Sequence, residues 1–281
     1  MKKDLIVGCY TNYSWDKIKF WVNSIDQCGF TGDKMMVIYN SDIEPIHELI
    51  KRNFKLFAFN QHPETLQLYY PNKFVIAVQR FADLWRFFSS IDLNEYRYII
   101  HTDVKDVIFQ KNPSDWLTDN MGDAKLLASC ESLNYEDEPW GNENLADSFP
   151  MAYDGMKSKP IWNCGVQAGD PIVLRDLWLV IYNMCTGNQV HNPDQAAYNV
   201  LLNLEPYKQI TKFVMSEDAW AAQLGTTMDP KKIEDFKPKL LEPQPIWSNN
   251  SVCTSIGIEH TIVHQYDRVP SISGQIEAKY K

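Results

Sequence analysis

The sequence predicts an α/β fold: a mixed, mainly parallel sheet flanked by helices. Three observations carry that prediction. Short apolar runs alternate with amphipathic stretches, the pattern of strand–helix–strand crossovers. The runs Leu5-Ile-Val-Gly-Cys-Tyr10 and 97–101 are apolar enough to be strands buried inside a sheet. No run approaches the ~20 apolar residues of a membrane span, and 44% hydrophobic with 22% charged residues is the balance of a folded globular chain.

Taken in order, Leu5–Tyr10 is the first strand and exits into the polar segment Thr11-Asn-Tyr-Ser14. An amphipathic helix follows from Trp15 to Cys28, then a second strand, Lys34–Tyr39, ended by Asn40-Ser-Asp. A helix around Glu44–Arg52 leads to a third strand, Phe54–Phe59. Phe74, Val78, Phe81, Trp85 and Phe88 recur at helical spacing, which predicts an amphipathic helix over 73–91 with Arg80, Asp83 and Arg86 at polar positions. Strands at 97–101 and Leu126–Ser129 come next. Residues 131–160 are acidic and punctuated by Pro and Gly, with Trp140 among them. A loop this long inside a compact domain is functional or mobile, so a lid or the acceptor-side wall of a site is expected, with a disordered insert as the alternative. Ile161–Ala168 reads as a strand and Pro171–Cys185 as a strongly apolar helix. Pro193-Asp-Gln opens another helix, with Pro and Asp in its first turn as capping chemistry prefers. Two short β-like runs, Ile210–Val214 and His260–His264, complete the reading. No internal repeat or linker interrupts the chain, so one continuous domain over 1–281 is expected.

Composition excludes several classes. The formal net charge of −9 argues against nucleic acid as a partner, because phosphate backbones call for clustered Lys and Arg. The N-terminus carries two lysines but enters a strand too short for a signal h-region. A cytoplasmic location is therefore expected. The six cysteines form no C-x-x-C pair and read as small buried residues. There is no G-x-x-x-x-G-K-[ST] loop, no G-x-G-x-x-G after the first strand and no G-x-S-x-G. Phosphate-loop kinases, dinucleotide dehydrogenases and α/β-hydrolases drop out accordingly.

The segment Tyr98-Ile-Ile-His-Thr-Asp-Val-Lys-Asp-Val-Ile-Phe109 carries the most chemistry. An apolar strand runs into Asp103 and Asp106, and ligands of open α/β sheets sit beyond the carboxyl ends of strands. Residues i and i+3 of a tight turn lie close together, so the two carboxylates can grip one hard divalent cation, and that cation a diphosphate. Asp is also common in turns that hold no metal. His264 could complete the set, since Mn²⁺ accepts imidazole beside carboxylates. His101 is read as structural or as a support for the aspartates. Asp194 and Gln195 open a predicted helix, where an Asp also suits the helix dipole. Arg80 and Arg86 could meet phosphate oxygens or make surface pairs.

With these motifs in order, the chain resembles the GT-A fold glycosyltransferases, a Rossmann-like class, and in particular the group of glycogenin and the bacterial lipopolysaccharide galactosyltransferases. The resemblance lies in ordered motifs spread over nearly the whole chain. Val7–Tyr13, with Cys9, Tyr10, Thr11 and Asn12 at its polar exit, looks like the nucleobase-binding start. Arg86 matches a basic helix residue by spacing, with Arg80 the competing candidate. Asp103 and Asp106 stand in place of the D-x-D metal motif, Asn163-Cys-Gly165 resembles the Asn-Ala-Gly segment lining the sugar region, and Asp194-Gln195 resembles the pair beside the transferred sugar. His264 is similar to the third metal ligand. One departure is the extra residue, D-x-x-D with Lys105 where the second aspartate would fall: either the turn bulges to bring Asp106 inward or the metal site is weakened.

The resemblance implies a nucleotide-binding half over 1–120, an acceptor half over 121–281, and a cation, Mn²⁺ or Mg²⁺, on Asp103, Asp106 and His264. It implies transfer of a sugar from a nucleotide sugar, with a UDP-sugar as the expected donor, to a glycan or other hydroxyl-bearing acceptor. The Asp194-Gln195 match leans to retention of configuration, although a carboxylate there could also be an inverting base. A sugar-nucleotidyltransferase and a non-catalytic nucleotide or sugar binder are the other readings. The first usually carries a Gly-rich basic N-terminal loop, which Val7–Asn12 lacks. Donor sugar, acceptor and oligomeric state are not legible.

Overall fold

The computed structural model describes residues 2–70 and 75–281. Chain order begins β1 (Lys3–Tyr10), α1 (Trp15–Gln27), β2 (Asp33–Ile38), α2 (Ile43–Lys51) and β3 (Phe54–Ala58). A two-residue hairpin, β4 (Asn60–Gln61) with β5 (Leu68–Tyr69), precedes α3 (Ile76–Phe88). Phe74 of the expected helix lies outside the described residues. The helix ends at Phe88, where Ser90 Oγ donates to the Phe87 carbonyl. Then come β6 (Tyr96–Thr102), β7 (Val107–Phe109), α4 (Pro113–Asn120) and β8 (Leu126–Asn134).

Two helices, α5 (Pro139–Ser148) and α6 (Pro150–Met156), lead to β9 (Pro160–Gly169), α7 (Pro171–Cys185) and α8 (Asp194–Leu202). The strands of the remainder are short: β10 (Thr211–Val214), β11 (Ala221–Gln223), the hairpin β12 (Ile246–Ser248) and β13 (Ser251–Cys253), and β14 (Ile262–His264), followed by a C-terminal helix, Pro270–Lys279.

Seven of these strands form the central sheet, in the order β10-β8-β9-β6-β1-β2-β3. All its pairings are parallel except those of β9, which runs antiparallel to both β6 and β8. The period-two alternation of strand side chains sorts the core onto two faces. Leu5, Val7, Met35, Val37 and Ile99 face one layer with Phe81, Phe88 and Trp178 of α3 and α7. Ile6, Met36, Ile38 and Ile100 face the other with Ile18, Trp21, Val22 and Leu49 of α1 and α2. Because both faces are covered, the strands read in sequence as continuous apolar runs.

A second sheet, β11-β14-β7, sits at the carboxyl edge of the first. It pairs the chain just after Asp106 with the chain ending in His264, antiparallel, with His264 opposite Val107. Ile272 and Ile276 of the C-terminal helix share a core cluster with Ile108, Val252 and Val263 of these β segments.

The expectation of a long loop at 131–160 is corrected. Strand β8 continues to Asn134, and α5 and α6 fill the rest. The prolines that punctuate the sequence, Pro139 and Pro150, stand in the first turns of those helices, where the missing N–H costs nothing. Leu145, Met156, Ile161, Ala196 and Val200 close a small core beneath them. Pro and Gly in these segments read in sequence as breakers, which hid both helices.

Candidate metal and donor site

The carboxyl ends of β1 and β6, the later half of β8 and the Asn163–Gly165 part of the antiparallel β9 open into a cleft of about 720 Å³, within the ~300–1,000 Å³ of small-molecule sites. Asp103 leaves β6 with its backbone N–H bonded to the Gly165 carbonyl at 2.8 Å. The turn then accommodates the extra residue of D-x-x-D. Val104 tucks inward beneath Gly8, where a Cβ would stand 2.5 Å from its Cγ2. Lys105, which also lines the cleft, turns away from the aspartates to pair with Asp267 at 3.1 Å, and Asp106 faces inward again. Lys105 thus points away from the side to which the turn brings both aspartates.

His264 arrives by strand pairing. Opposite Val107 in the second sheet, it places Nε2 3.7 Å from Asp103 Oδ2 and 3.7 Å from Asp106 Oδ1. The three donor atoms lie within 4.8 Å of one another. Atoms sharing one cation at ~2.0–2.3 Å sit roughly 3–4 Å apart, so the set fits a divalent ion with little movement. Gln223 decides which imidazole nitrogen is offered. Its side chain donates to Ser129 Oγ at 3.2 Å, which leaves Oε1, 2.8 Å away, to accept from His264 Nδ1–H. The lone pair is then on Nε2, aimed at the carboxylates, as metal-binding histidines require. Gly165 leaves the space: a Cβ there would lie 2.6 Å from Asp103 Oδ2 and 2.8 Å from His264 Cε1.

Arg80, on α3, joins two carboxylates. One guanidinium nitrogen bonds Asp103 Oδ1 and the other reaches Asp194 Oδ2 at 3.2 Å. Asp103 is thereby divided, with Oδ1 engaged by Arg80 and Oδ2 turned to His264. Burial would push the Asp103 carboxyl up, but Arg80 and His264 override it and hold it below the usual range. For Asp106 burial prevails over His264, and the charge of Asp103 adds to it, so its carboxyl is held above the usual range. Asp194 is raised by burial against the pull of Arg80. His101 lies behind the site, edge-on to Phe81 and Trp178, and burial with Arg80 nearby pushes its pKa down to about 3. It is a neutral packing residue.

The other sequence-predicted residues divide. Cys9, Tyr10, Thr11, Asn163, Gly165, Asp194 and Gln195 line the cleft with Arg80, Asp103, Asp106 and His264. Asn163 Oδ1 accepts from the Gly165 N–H at 2.8 Å, and Gln195 Oε1 from the Cys164 N–H at 3.3 Å, so both amides hold the bend of β9. Asn12 sits at the polar exit of β1 with positive φ and bonds the Asn40 carbonyl through its backbone at 2.8 Å, outside the cleft lining. Arg86 is also outside it: its side chain is 68% exposed and pairs with Asp83 at 3.7 Å. Of the two competing arginines, Arg80 is the one at the site, because it lies on the helix face turned toward β6.

Sequence reasoning missed Glu131, Glu138, Lys232 and Arg268, which also line the cleft. Glu131 had a signal. It follows the apolar run Leu126–Cys130 as Asp103 follows β6, and Asn163 Nδ2 donates to it at 2.7 Å. Burial, aided by Glu138, pushes its carboxyl up.

No protein-family model matches the sequence, and no curated protein does. Among solved structures, the chain is similar to WbbM, a bifunctional glycosyltransferase, with 12% identity and a TM-score of 0.60 over 99% of this chain. It spans only about half, 51%, of the WbbM chain. Mouse xyloside xylosyltransferase 1 matches at 13% identity and TM-score 0.54, over 93% of this chain and 97% of that one. An active-site mutant of LgtC matches at 10% identity and TM-score 0.50, over 92% and 86% respectively. The seven-stranded, mainly parallel sheet with its flanking helices is the GT-A fold of these glycosyltransferases.

Proposed function

We propose that the protein is a metal-dependent glycosyltransferase that moves a sugar from a nucleotide sugar, with UDP-sugar as the donor, to an acceptor hydroxyl. The observation that carries this is the convergence of Asp103, Asp106 and a tautomer-fixed His264 on one wall of a cleft in a GT-A fold. A bound Mn²⁺ or Mg²⁺ would neutralise charge on the departing nucleoside diphosphate, the largest electrostatic demand of the reaction.

The chain's own residues do the rest. Cys9, Tyr10 and Thr11, with Tyr13 beside them, form the wall where a nucleoside would lie. Arg80 holds Asp103 and Asp194 at fixed separation, so that Asp103 offers Oδ2 to the cation and Asp194 faces the transferred sugar. Asn163 and Gln195 keep β9 in the bend that leaves Gly165 clear of the donor atoms. The match of Asp194-Gln195 to the pair beside the transferred sugar supports retention of configuration over inversion. We assign nucleotide binding to 1–120 and acceptor binding to 121–281. The six unpaired thiols support a cytoplasmic setting.

The test is nucleotide release. The protein is incubated with Mn²⁺ and a panel of nucleotide sugars, and free nucleoside diphosphate is measured with and without EDTA. Metal-dependent release of UDP is expected, and NMR of the product anomer reads the stereochemistry. Pyrophosphate formed from a nucleoside triphosphate and a sugar phosphate would make the protein a nucleotidyltransferase instead; binding without release would make it a non-catalytic binder.

A further inference from the structure

The cleft extends past the groups assigned to cation and donor. Beyond Asn163 its wall is made by Glu131, Glu138, Trp140 and Lys232. Among the described residues, twelve large apolar side chains are exposed, and of these only Trp140, at 48%, lines the cleft. The others are scattered over the outer surface and need no explanation.

Trp140 is held in place. Pro139 and Trp140 form the first turn of α5, and Glu138 caps that turn by accepting from the Gly141 N–H at 2.5 Å. A Cβ at Gly141 would stand 3.1 Å from Glu138 Oε2 and 3.3 Å from Ile161 Cδ1, so the turn is packed tightly against β9. The indole therefore projects from a rigid base. Around it the polar groups converge. Glu131 and Glu138 are 5% and 4% exposed, and Lys232 Nζ lies 3.5 Å from Glu138 Oε1. A carboxylate offers about four acceptor sites, and Asn163 takes one of those on Glu131 at 2.7 Å.

An aromatic face flanked by hydrogen-bond acceptors suits one ligand chemistry above others. The axial C–H face of a pyranose is apolar and weakly positive, which matches the negative face of an indole, while its equatorial hydroxyls donate to carboxylates. Two carboxylates against one lysine leave this end net negative, which repels anionic acceptors. We propose that Trp140, Glu131, Glu138 and Lys232 form a saccharide subsite, and that the acceptor is a neutral or amino sugar stacked on Trp140. This deepens, and rests on, the glycosyltransferase reading above.

Saturation-transfer NMR tests the subsite without needing turnover. The probes are methyl glucoside, methyl galactoside, methyl N-acetylglucosaminide and lactose, with methyl glucuronide as the anionic control and N-acetyltyrosinamide as a non-sugar hydroxyl. All are added to the protein with UDP and Mn²⁺. At least one neutral sugar should bind, and Trp140→Ala should weaken it tenfold or more while Trp140→Phe costs under threefold. UDP affinity should stay within twofold in both variants, since the ring is exposed and apart from the nucleoside wall. Lys232→Gln should weaken the same probe severalfold.

Three results would overturn the proposal: no neutral sugar binds, the Trp140→Ala protein binds it as well as the parent, or UDP affinity falls with Trp140, which would put the nucleobase on that ring. Glucuronide binding as tight as glucoside would overturn the charge argument. Saccharide binding with no UDP release from any donor would leave the subsite standing and remove the transferase reading.

Discussion

At one end of the cleft, Asp103, Asp106 and His264 come from strand ends whose positions are locked by sheet register. At the other, Glu138 caps a short helix whose first turn displays the Trp140 ring to solvent. The first construction fixes three atoms within a few ångströms of one another and tolerates no intrusion, as the crowding over Gly165 makes plain. The second presents a surface, whose affinity rises or falls with area and hydrogen bonds. The difference teaches that changes at the metal end should be close to all-or-none, and changes at the far end graded.

The sharpest way to break that contrast is Asp106→Asn. Loss of one anionic ligand should cut metal-dependent UDP release about 10³-fold, the several kcal/mol that a Lewis-acid cation contributes. The melting midpoint should hold or rise slightly, because the substitution removes a carboxyl that burial, with the charge of Asp103 beside it, raises. Turnover equal to the parent's would remove Asp106 from the site.

Next in size is Gln223→Leu, which leaves His264 Nδ1 without its partner. Support of this kind is worth about 10–100-fold in metal affinity, so Mn²⁺ titration by calorimetry should weaken by that factor with the fold unchanged. Gly165→Ala should act similarly by steric means, since the new methyl must displace Asp103 Oδ2 or His264. An unchanged Mn²⁺ affinity in either variant would mean that the register is not what positions the imidazole.

A pH prediction concerns the segment that delivers His264. His260 is buried, and burial lowers its pKa from 6.5 to about 4. Below the unfolded value the unfolded chain takes up a proton that the folded one refuses. The stability His260 contributes is therefore fully present above pH 6.5 and is lost as pH falls toward 4, by roughly 3 kcal/mol. Urea unfolding of the parent and of His260→Gln at pH 7 and pH 4.5 reads this; the same pH slope in both would exclude His260 as its source. The smallest effect expected is for Arg86→Ala. Outside the cleft and exposed, it should change UDP release by less than twofold, whereas Arg80→Ala, which unties Asp103 and Asp194, should be severe.

Much of this was legible in the chain. The strands announced themselves because a sheet covered on both faces buries most of its residues, so Leu5–Tyr10 and the Ile99-Ile100 centre of 97–101 could be read from apolarity. Asp103, Asp106, His264 and Asp194 were legible as residue types at strand and helix ends. The α5 and α6 helices were not, since Pro and Gly read as breakers when they stand in first turns. Gln223 was invisible for another reason: an uncharged amide in the run Ala221–Gln223 carries no pattern, and its importance exists only once His264 is 2.8 Å away.

Local chemistry in the amino-acid order was enough to settle the strands of the central sheet, the helices that cover it and the placing of the charged groups, though not α5 and α6, because burial and periodicity act over a few residues. Which arginine serves the aspartates, whether Lys105 points in or out, and how an imidazole 158 positions beyond Asp106 comes to within 3.7 Å of it were decided by packing alone. Those contacts depend on helix facing and on strand register, and register is a property of two distant segments meeting, not of either one.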